Sequence, residues 1–454
     1  MDFRFRGRCY SFSLSHGLFS SAHIDDGSRL LLKVFSELLE TPGSGGFCNA
    51  APRIRPGLIL DAGSGAGILG ICAAGALADM GNPHCFHVRC QDRDELGRIF
   101  TIYNAQKNGL GEDLLSARTE PLLCTEENKT AGQAWDLILS NVPAKAGLPV
   151  LEDFTRRSAK SLNHPGGRAL IVVVNTLAGF FEEQIKACSS LISRVNGPGH
   201  TVFLYGPAET NSFNTGSSFS SFKDEGLLKW NPSYLRNSAT YKMEKTPYHL
   251  DTIYGAESFD HPGGDVLTAA KLTARLEGEI RSSLQTCCSS KKDVLVWEGG
   301  QGHFSAWFAE CETHNPLAEG RLNFVLAGRN ILALEAACFN TVKAMGAAPA
   351  GRASYISAAD LCIDSEKILQ ATGMQDASSG FSFAAVFPKA VPQTDRVSAF
   401  WEALNNVCLP GAVIIIGASS HEAERFDRAK PKGFTRLGNI RQKGFRALSY
   451  RKKR

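Results

Sequence analysis

The segment Leu58-Ile59-Leu60-Asp61-Ala62-Gly63-Ser64-Gly65-Ala66-Gly67 constrains what this chain can fold into more than any other. Its apolar start reads as a short buried strand. The three alternate glycines that follow permit positive φ and a backbone that a ligand can approach closely. An Ala-rich run over 68–80 then has the composition of a helix. A strand that turns into a helix through glycine leaves the free N–H groups of the helix start facing the crevice beyond the strand ends. This is the layout of a nucleotide-type cofactor loop.

Strands are expected at 57–61, 86–90, 136–140 and 169–174, and a further helix over 95–107. Strands alternating with helices of this length imply an α/β fold with a doubly wound, mostly parallel sheet covered on both faces. At 454 residues the chain is too long for one core, and the Ser-, Thr-, Asn- and Gly-rich stretch 206–221 has linker composition. The expected organisation is a cofactor-binding domain over 1–207, a linker over 208–224 and a second domain over 225–454.

The second half repeats the first at an offset of about 237 residues. Leu60-Asp61-Ala62-Gly63-Ser64-Gly65 pairs with Trp297-Glu298-Gly299-Gly300-Gln301-Gly302, and 94–109 pairs with 330–345, sharing Asn104 and Asn340. Upstream, His16-Gly17-Leu18-Phe19 with 25–32 pairs with Tyr254-Gly255-Ala256 and 263–267. Three segments in register indicate a tandem duplication of one domain. In that register Glu298 stands for Asp61, Phe304 for Gly67 and Gly328 for Asp92, so the second domain is expected to bind no cofactor.

No apolar stretch approaches the roughly 20 residues of a membrane helix, and the N-terminus lacks an unbroken apolar region. Thirteen cysteines occur without a Cys-x-x-Cys pair and read as reduced thiols. These features predict a cytoplasmic protein with no membrane partner. His84, Cys85, His87 and Cys90 alternate across an expected strand and cannot close around one ion, so no metal is expected.

Gly65-Ala66-Gly67-Ile68-Leu69-Gly70 also satisfies the dinucleotide pattern G-x-G-x-x-G. Asp61 argues against it, because a carboxylate at that strand end would meet a pyrophosphate. S-adenosylmethionine, with its sulfonium and ammonium, suits the site better. The expected cofactor residues are Asp61, Gly63, Gly65 and Gly67, with Asp92 accepting the ribose hydroxyls, Asp94 solvated or capping the next helix, and Thr119 on the adenine side.

A later strand ends Ser140-Asn141-Val142-Pro143-Ala144-Lys145. With the glycine loop, Asp92, Asn108-Gly109 and the N-terminal motif Ser15 to Ser20 with Asp25 to Leu32, this makes residues 10–207 resemble the small-subunit ribosomal RNA guanine-N2 methyltransferases. The resemblance implies two tandem Rossmann-like class I methyltransferase domains and transfer of a methyl group to an exocyclic base amine. It implies that Asn141 and the Val142 carbonyl orient the amine, that Pro143 shapes the turn, and that Phe19 and Lys145 lie on the substrate side. Ala144 stands where that family carries an aromatic residue. In the family the degenerate domain precedes the catalytic one; here the order is reversed.

The charge is uneven. Residues 430–454 hold ten of the 49 Lys and Arg and none of the 45 Asp and Glu, so the rest of the chain is net acidic. With Phe434, Phe445 and Tyr450 interleaved, this segment suits a polyanionic backbone, and Arg441, Lys443 and Arg446 are its expected RNA contacts. The sequence leaves two alternatives to an RNA enzyme. One is an N-methyltransferase acting on protein or a small molecule, and the other is a catalytically decayed RNA-binding scaffold.

Overall fold

The computed structural model describes residues 1–18, 23–40, 56–81, 86–123, 135–163, 165–207, 232–257, 260–286, 292–316, 322–346, 353–374, 379–391 and 395–454. The chain divides into two units, Met1–Gly226 and Leu227–Arg454. The linker expected over 208–224, along with His84, Cys85 and Phe19, lies outside the described residues.

The first unit opens with a hairpin, β1 (Asp2–Phe5) and β2 (Arg8–Ser11), followed by α1 (Asp26–Leu39). Then come β3 (Leu58–Ala62), α2 (Ile68–Asp79), β4 (His87–Asp92), α3 (Glu95–Lys107), β5 (Leu115–Thr119), β6 (Leu137–Asn141), α4 (Leu148–Lys160), β7 (Arg168–Val174), α5 (Ala178–Cys188), β8 (Leu191–Asn196) and β9 (His200–Tyr205). The seven-stranded sheet runs β5-β4-β3-β6-β7-β9-β8. Only β9 is antiparallel to its neighbours. The order reverses between β3 and β6, so a crevice opens at their C-terminal ends.

Helix α1 shows how the sequence builds these layers. Asp25 caps it by accepting from Ser28 N, and Leu31, Leu32, Val34, Phe35, Leu38 and Leu39 form its buried face. Helix α2 is buried on all sides from Ile68 to Leu77. Its Gly75 lets Tyr10 of the hairpin lie directly against the helix, in space a Cβ would fill.

The second unit repeats the plan with β10 (Leu235–Met243), β11 (Thr246–Ile253), α6 (Gly264–Arg275), α7 (Glu277–Thr286), β12 (Lys292–Trp297), α8 (His303–His314), β13 (Leu322–Gly328), α9 (Ile331–Ala344), β14 (Ala353–Ser357), α10 (Leu361–Ala371), β15 (Phe381–Val386), α11 (Val397–Val407), β16 (Cys408–Ser419), α12 (Ser420–Arg428), β17 (Phe434–Gln442) and β18 (Phe445–Lys452). Its sheet runs β14-β13-β12-β15-β16-β18-β17, the same order. The duplication reaches single hydrogen bonds. Asn104 accepts from Ser13 N and donates to Ser13 O and Ala66 O; Asn340 accepts from Asp251 N and donates to Asp251 O and Gln301 O.

The glycine loops, however, align two residues away from the expected register. Gly63, Gly65 and Gly67 have φ of 78°, 55° and 84°, and their counterparts are Glu298, Gly300 and Gly302 at 54°, 62° and 104°. Gly67 and Gly302 both precede their helices as left-handed caps. Glu298 therefore replaces Gly63, Val296 replaces Asp61, and Phe304 corresponds to Leu69. Phe304 does not block the helix start but sits in the core against Phe308 and Phe387.

Asn104→Ala leaves three backbone groups around the loop without their partner. We expect a loss of about 2–3 kcal/mol of stability, read as a lowered urea midpoint.

Candidate active site

Positive φ lets the glycine loop fold back on its neighbours, and hydrogen bonds fix it there. Gly63 N and Ser64 N both donate to Gln91 O, at 2.9 and 3.0 Å, and Gly65 N donates to Asp92 Oδ2 at 2.9 Å. From α3, Thr101 donates to Gly65 O at 3.2 Å, and Gly97 allows the close approach, since a Cβ there would stand 3.0 Å from that oxygen. A Cβ on Gly67 would meet Ile71 and Thr101 at 2.9 Å, whereas one on Gly65 would meet no heavy atom within 4 Å. The crevice therefore opens above Gly65.

Asp61 does not face it. Alternation along β3 puts Ile59 and Asp61 on the side toward α2, and Asp61 is fully buried with Oδ2 accepting from Gly70 N at 2.8 Å. The side chain expected to hold the cofactor directly thus lies beneath the loop and anchors α2. Burial, opposed by the Gly70 hydrogen bond and assisted by the charge of Asp92, raises its carboxyl to about 7.

Asp92 is placed at the crevice. Its oxygens accept from Gly65 N and Asp94 N at 2.9 Å each, which leaves each a further lone pair. Burial raises its pKa. Asp94 caps α3 through Leu96 N, as its position predicts. Thr119 ends β5 and donates its hydroxyl to Glu95, a buried carboxylate also paired with Arg98 at 2.8 Å.

Sequence reading missed Glu95 and Gln91. Besides accepting from the loop, Gln91 donates from its side chain to Pro121 O at 2.6 Å and Leu122 O at 2.8 Å, which holds the segment after β5 beside the crevice. Leu122 Cδ2 stands 3.2 Å from the position of a Cβ on Gly63. No short motif announces a buried glutamine at a strand end.

Asn141 closes β6 and is half-buried. Its Nδ2 donates to Asp25 Oδ1 at 2.9 Å and Ser28 Oγ at 3.0 Å. Val142 N donates to Val172 O at 3.0 Å, and Ala146 N donates to Pro143 O at 3.0 Å, so the Asn-Val-Pro turn is fixed at both ends. Ala144 and Lys145 are exposed, and the apolar side chain exposed just beyond them is Leu148 at 55%.

The basic segment is the hairpin β17–β18 of the second unit rather than a tail. Arg441 and Lys443 are exposed at its turn. Arg446, expected to meet RNA, instead pairs with Asp427 at 3.3 Å with 18% of its side chain exposed, and Arg436 and Tyr450 bond to the same carboxylate. Phe434 and Tyr450 are core residues and offer no stacking face, because the hairpin buries one side against the helices.

At the equivalent strand ends the second unit has a cavity of about 90 Å³ lined by Glu298, Arg329, Lys389 and Phe400 among others. Glu298 reaches across it to Arg329 N at 2.8 Å and Lys389 Nζ at 3.4 Å. The register of β6 and β15 on their neighbours sets Phe387, 3% exposed, where Asn141 stands.

The first unit's strand order and its strapped glycine loop beside the Asp92 carboxylate have the plan of a class I S-adenosylmethionine-dependent methyltransferase. Residues 10–190 match the family described as methyltransferase small domain, and the chain resembles the ribosomal RNA guanine-N2 enzymes of this class. The protein YbxB of Bacillus subtilis is 27% identical over 177 residues, covering 38% of this chain and 72% of YbxB. The solved structure of the T. thermophilus 16S rRNA N2 G1207 methyltransferase RsmC, in complex with AdoMet and guanosine, matches over 100% of this chain and 98% of that one. Its TM-score is 0.58 at 15% identity, a likeness of fold that extends over both units.

The residues present fit the cofactor, since the space over Gly65 is open and Asp92 retains acceptors toward it. Among the described residues no group of His, Cys, Asp or Glu could hold a metal, and no helix is long and apolar enough to cross a membrane.

Two outcomes are expected. Asp92→Ala weakens S-adenosylmethionine binding by about tenfold or more, measured by calorimetry. Asp61 has a folded-state pKa of about 7 against an ordinary 3.8, so the stability it contributes is complete below the lower value and is lost as pH rises to the upper one. Asp61→Asn should flatten the fall in melting temperature over that range, measured by calorimetric scans at successive pH values.

Proposed function

We propose that the first unit methylates an exocyclic base amine of RNA, of the ribosomal guanine-N2 kind, in the cytoplasm. The observation that carries this reading is the Asn141-Val142-Pro143 turn. It lies at the topological switch point beside the glycine loop, with the Asn141 amide nitrogen bonded to the protein and its oxygen left for a donor.

Bound S-adenosylmethionine supplies an electrophilic methyl group on a sulfonium. Gly63, Gly65 and Gly67 give it a close backbone, Asp92 accepts the ribose hydroxyls, and Leu122 with Thr119 flanks the adenine. Asn141 Oδ1 and the Val142 carbonyl accept the two protons of the incoming amine. This holds its lone pair in line with the methyl group, a gain of orientation rather than of acid–base chemistry. Lys145 lies on the substrate side of the turn. The likeness in fold of both units to a 16S rRNA N2 G1207 methyltransferase supports the choice of RNA.

The second unit serves substrate docking and binds no cofactor. Glu298 occupies the position of Gly63, Gly328 replaces Asp92, and a cavity of about 90 Å³ falls well short of the roughly 300–1,000 Å³ of small-molecule sites. Arg441 and Lys443 are its phosphate contacts. A second reading, methylation of an amine on protein, is favoured by exposed Ala144, which offers no ring for a flipped base.

Transfer of labelled methyl groups to small-subunit ribosomal RNA tests the reaction. Asn141→Ala should lower the rate by about a hundredfold and leave cofactor affinity unchanged. Label that enters protein and survives nuclease would replace RNA as the substrate. For docking, the double variant Arg441→Ala/Lys443→Ala should reduce the slope of log affinity against log salt by about 2.

A further inference from the structure

We propose that Asp25 and Ser28 are positioning residues that set which end of the Asn141 amide faces the substrate; this rests on the reading of Asn141 given above. The two sit in the first turn of α1, 116 and 113 residues from Asn141 in sequence. A carboxylate accepts hydrogen bonds and cannot donate them, so the amide group 2.9 Å from Asp25 Oδ1 is the nitrogen. Ser28 Oγ spends its proton on Asp25 Oδ2 at 2.8 Å, so it too presents a lone pair to Asn141. Both Nδ2 protons are thereby used. The opposite flip would set Oδ1 against a carboxylate oxygen, and the Ser28 hydroxyl could then bond it only by giving up Asp25 Oδ2.

The orientation matters because the two ends of the amide do opposite things. Oδ1 toward the crevice accepts a proton from an amine and leaves that nitrogen's lone pair available. Nδ2 toward the crevice would donate to the lone pair and block the attack.

The second unit provides an internal comparison. The cap of its first sheet-covering helix is Gly263 in place of Asp25, Val266 stands for Ser28, and Phe387 stands for Asn141. The amide and both of its holders are absent together. The frame of the neighbouring glycine loop is kept, as the shared Asn104 and Asn340 contacts show.

The test uses the full chain with Asp25→Ser, which keeps an oxygen at the helix cap, and Ser28→Ala. In protein labelled with ¹⁵N-asparagine, the Asn141 side-chain amide is assigned by its loss in Asn141→Ser. In the wild type both amide protons exchange slowly. Each variant should speed exchange of one proton of the pair, a different one in each, by about tenfold or more. In the same variants kcat for methyl transfer to small-subunit ribosomal RNA should fall by about tenfold or more, with the S-adenosylmethionine dissociation constant and the melting temperature little changed. Ser28→Thr, which retains a hydroxyl, should restore protection and rate. Equal exchange of both protons in wild type and variants overturns the proposal, as does an unchanged kcat. A wild type whose amide is protected but which transfers nothing to RNA overturns the reading of the substrate and still supports the fixed orientation.

Discussion

The strap between the glycine loop and the end of β4 is the constraint on which the first unit depends. Two loop N–H groups converge on the Gln91 carbonyl and a third on Asp92, while α3 grips the loop from the other side through Thr101 and Asn104. The loop therefore cannot move independently of the second strand. One carboxylate, Asp92, both anchors the loop and points an acceptor at the crevice the loop forms. Asp61 supports the arrangement from below, where burial is tolerated because Gly70 donates to it and leaves room for it.

The second unit keeps this frame and abandons the chemistry. Glu298 takes a left-handed conformation that glycine adopts without strain, and its carboxylate closes over the end of β13, where Gly328 has no side chain. Lys389 answers that charge. Burial works against the ammonium, but the carboxylates of Glu298 and Glu257 outweigh it and hold its pKa up. Ion pairing among the unit's own side chains thus occupies the strand ends that the first unit leaves open.

Much of this was legible in the chain. The helix expected over 95–107 forms as Glu95–Lys107, and the strands expected from apolar runs appear within two residues of their places. The end strand β8 and the antiparallel β9 beside it do not follow from the sequence reading; β8 mixes polar and apolar residues without a clean alternation. The repeat is visible in the sequence, but two residues out of register. In a G-x-G-x-G loop a shift of two lays glycine on glycine, and only the sequence of positive φ values removes the ambiguity. The basic hairpin misled for a related reason. Arg446 and Tyr450 read as charge and ring in the sequence, but both are committed to Asp427, which lies on a preceding helix.

By itself the sequence determined the α/β class, the duplication, the cofactor loop and the Asn-Val-Pro turn, since each is a local pattern of apolar runs, glycine spacing or strand-end residues. Only the tertiary structure decided that Asp61 supports rather than contacts, that Gln91 joins two loops, and that Asp25 and Ser28 hold Asn141. Those relations connect groups up to 116 residues apart, and a hydrogen bond is set by where folding brings two atoms, which no local pattern records.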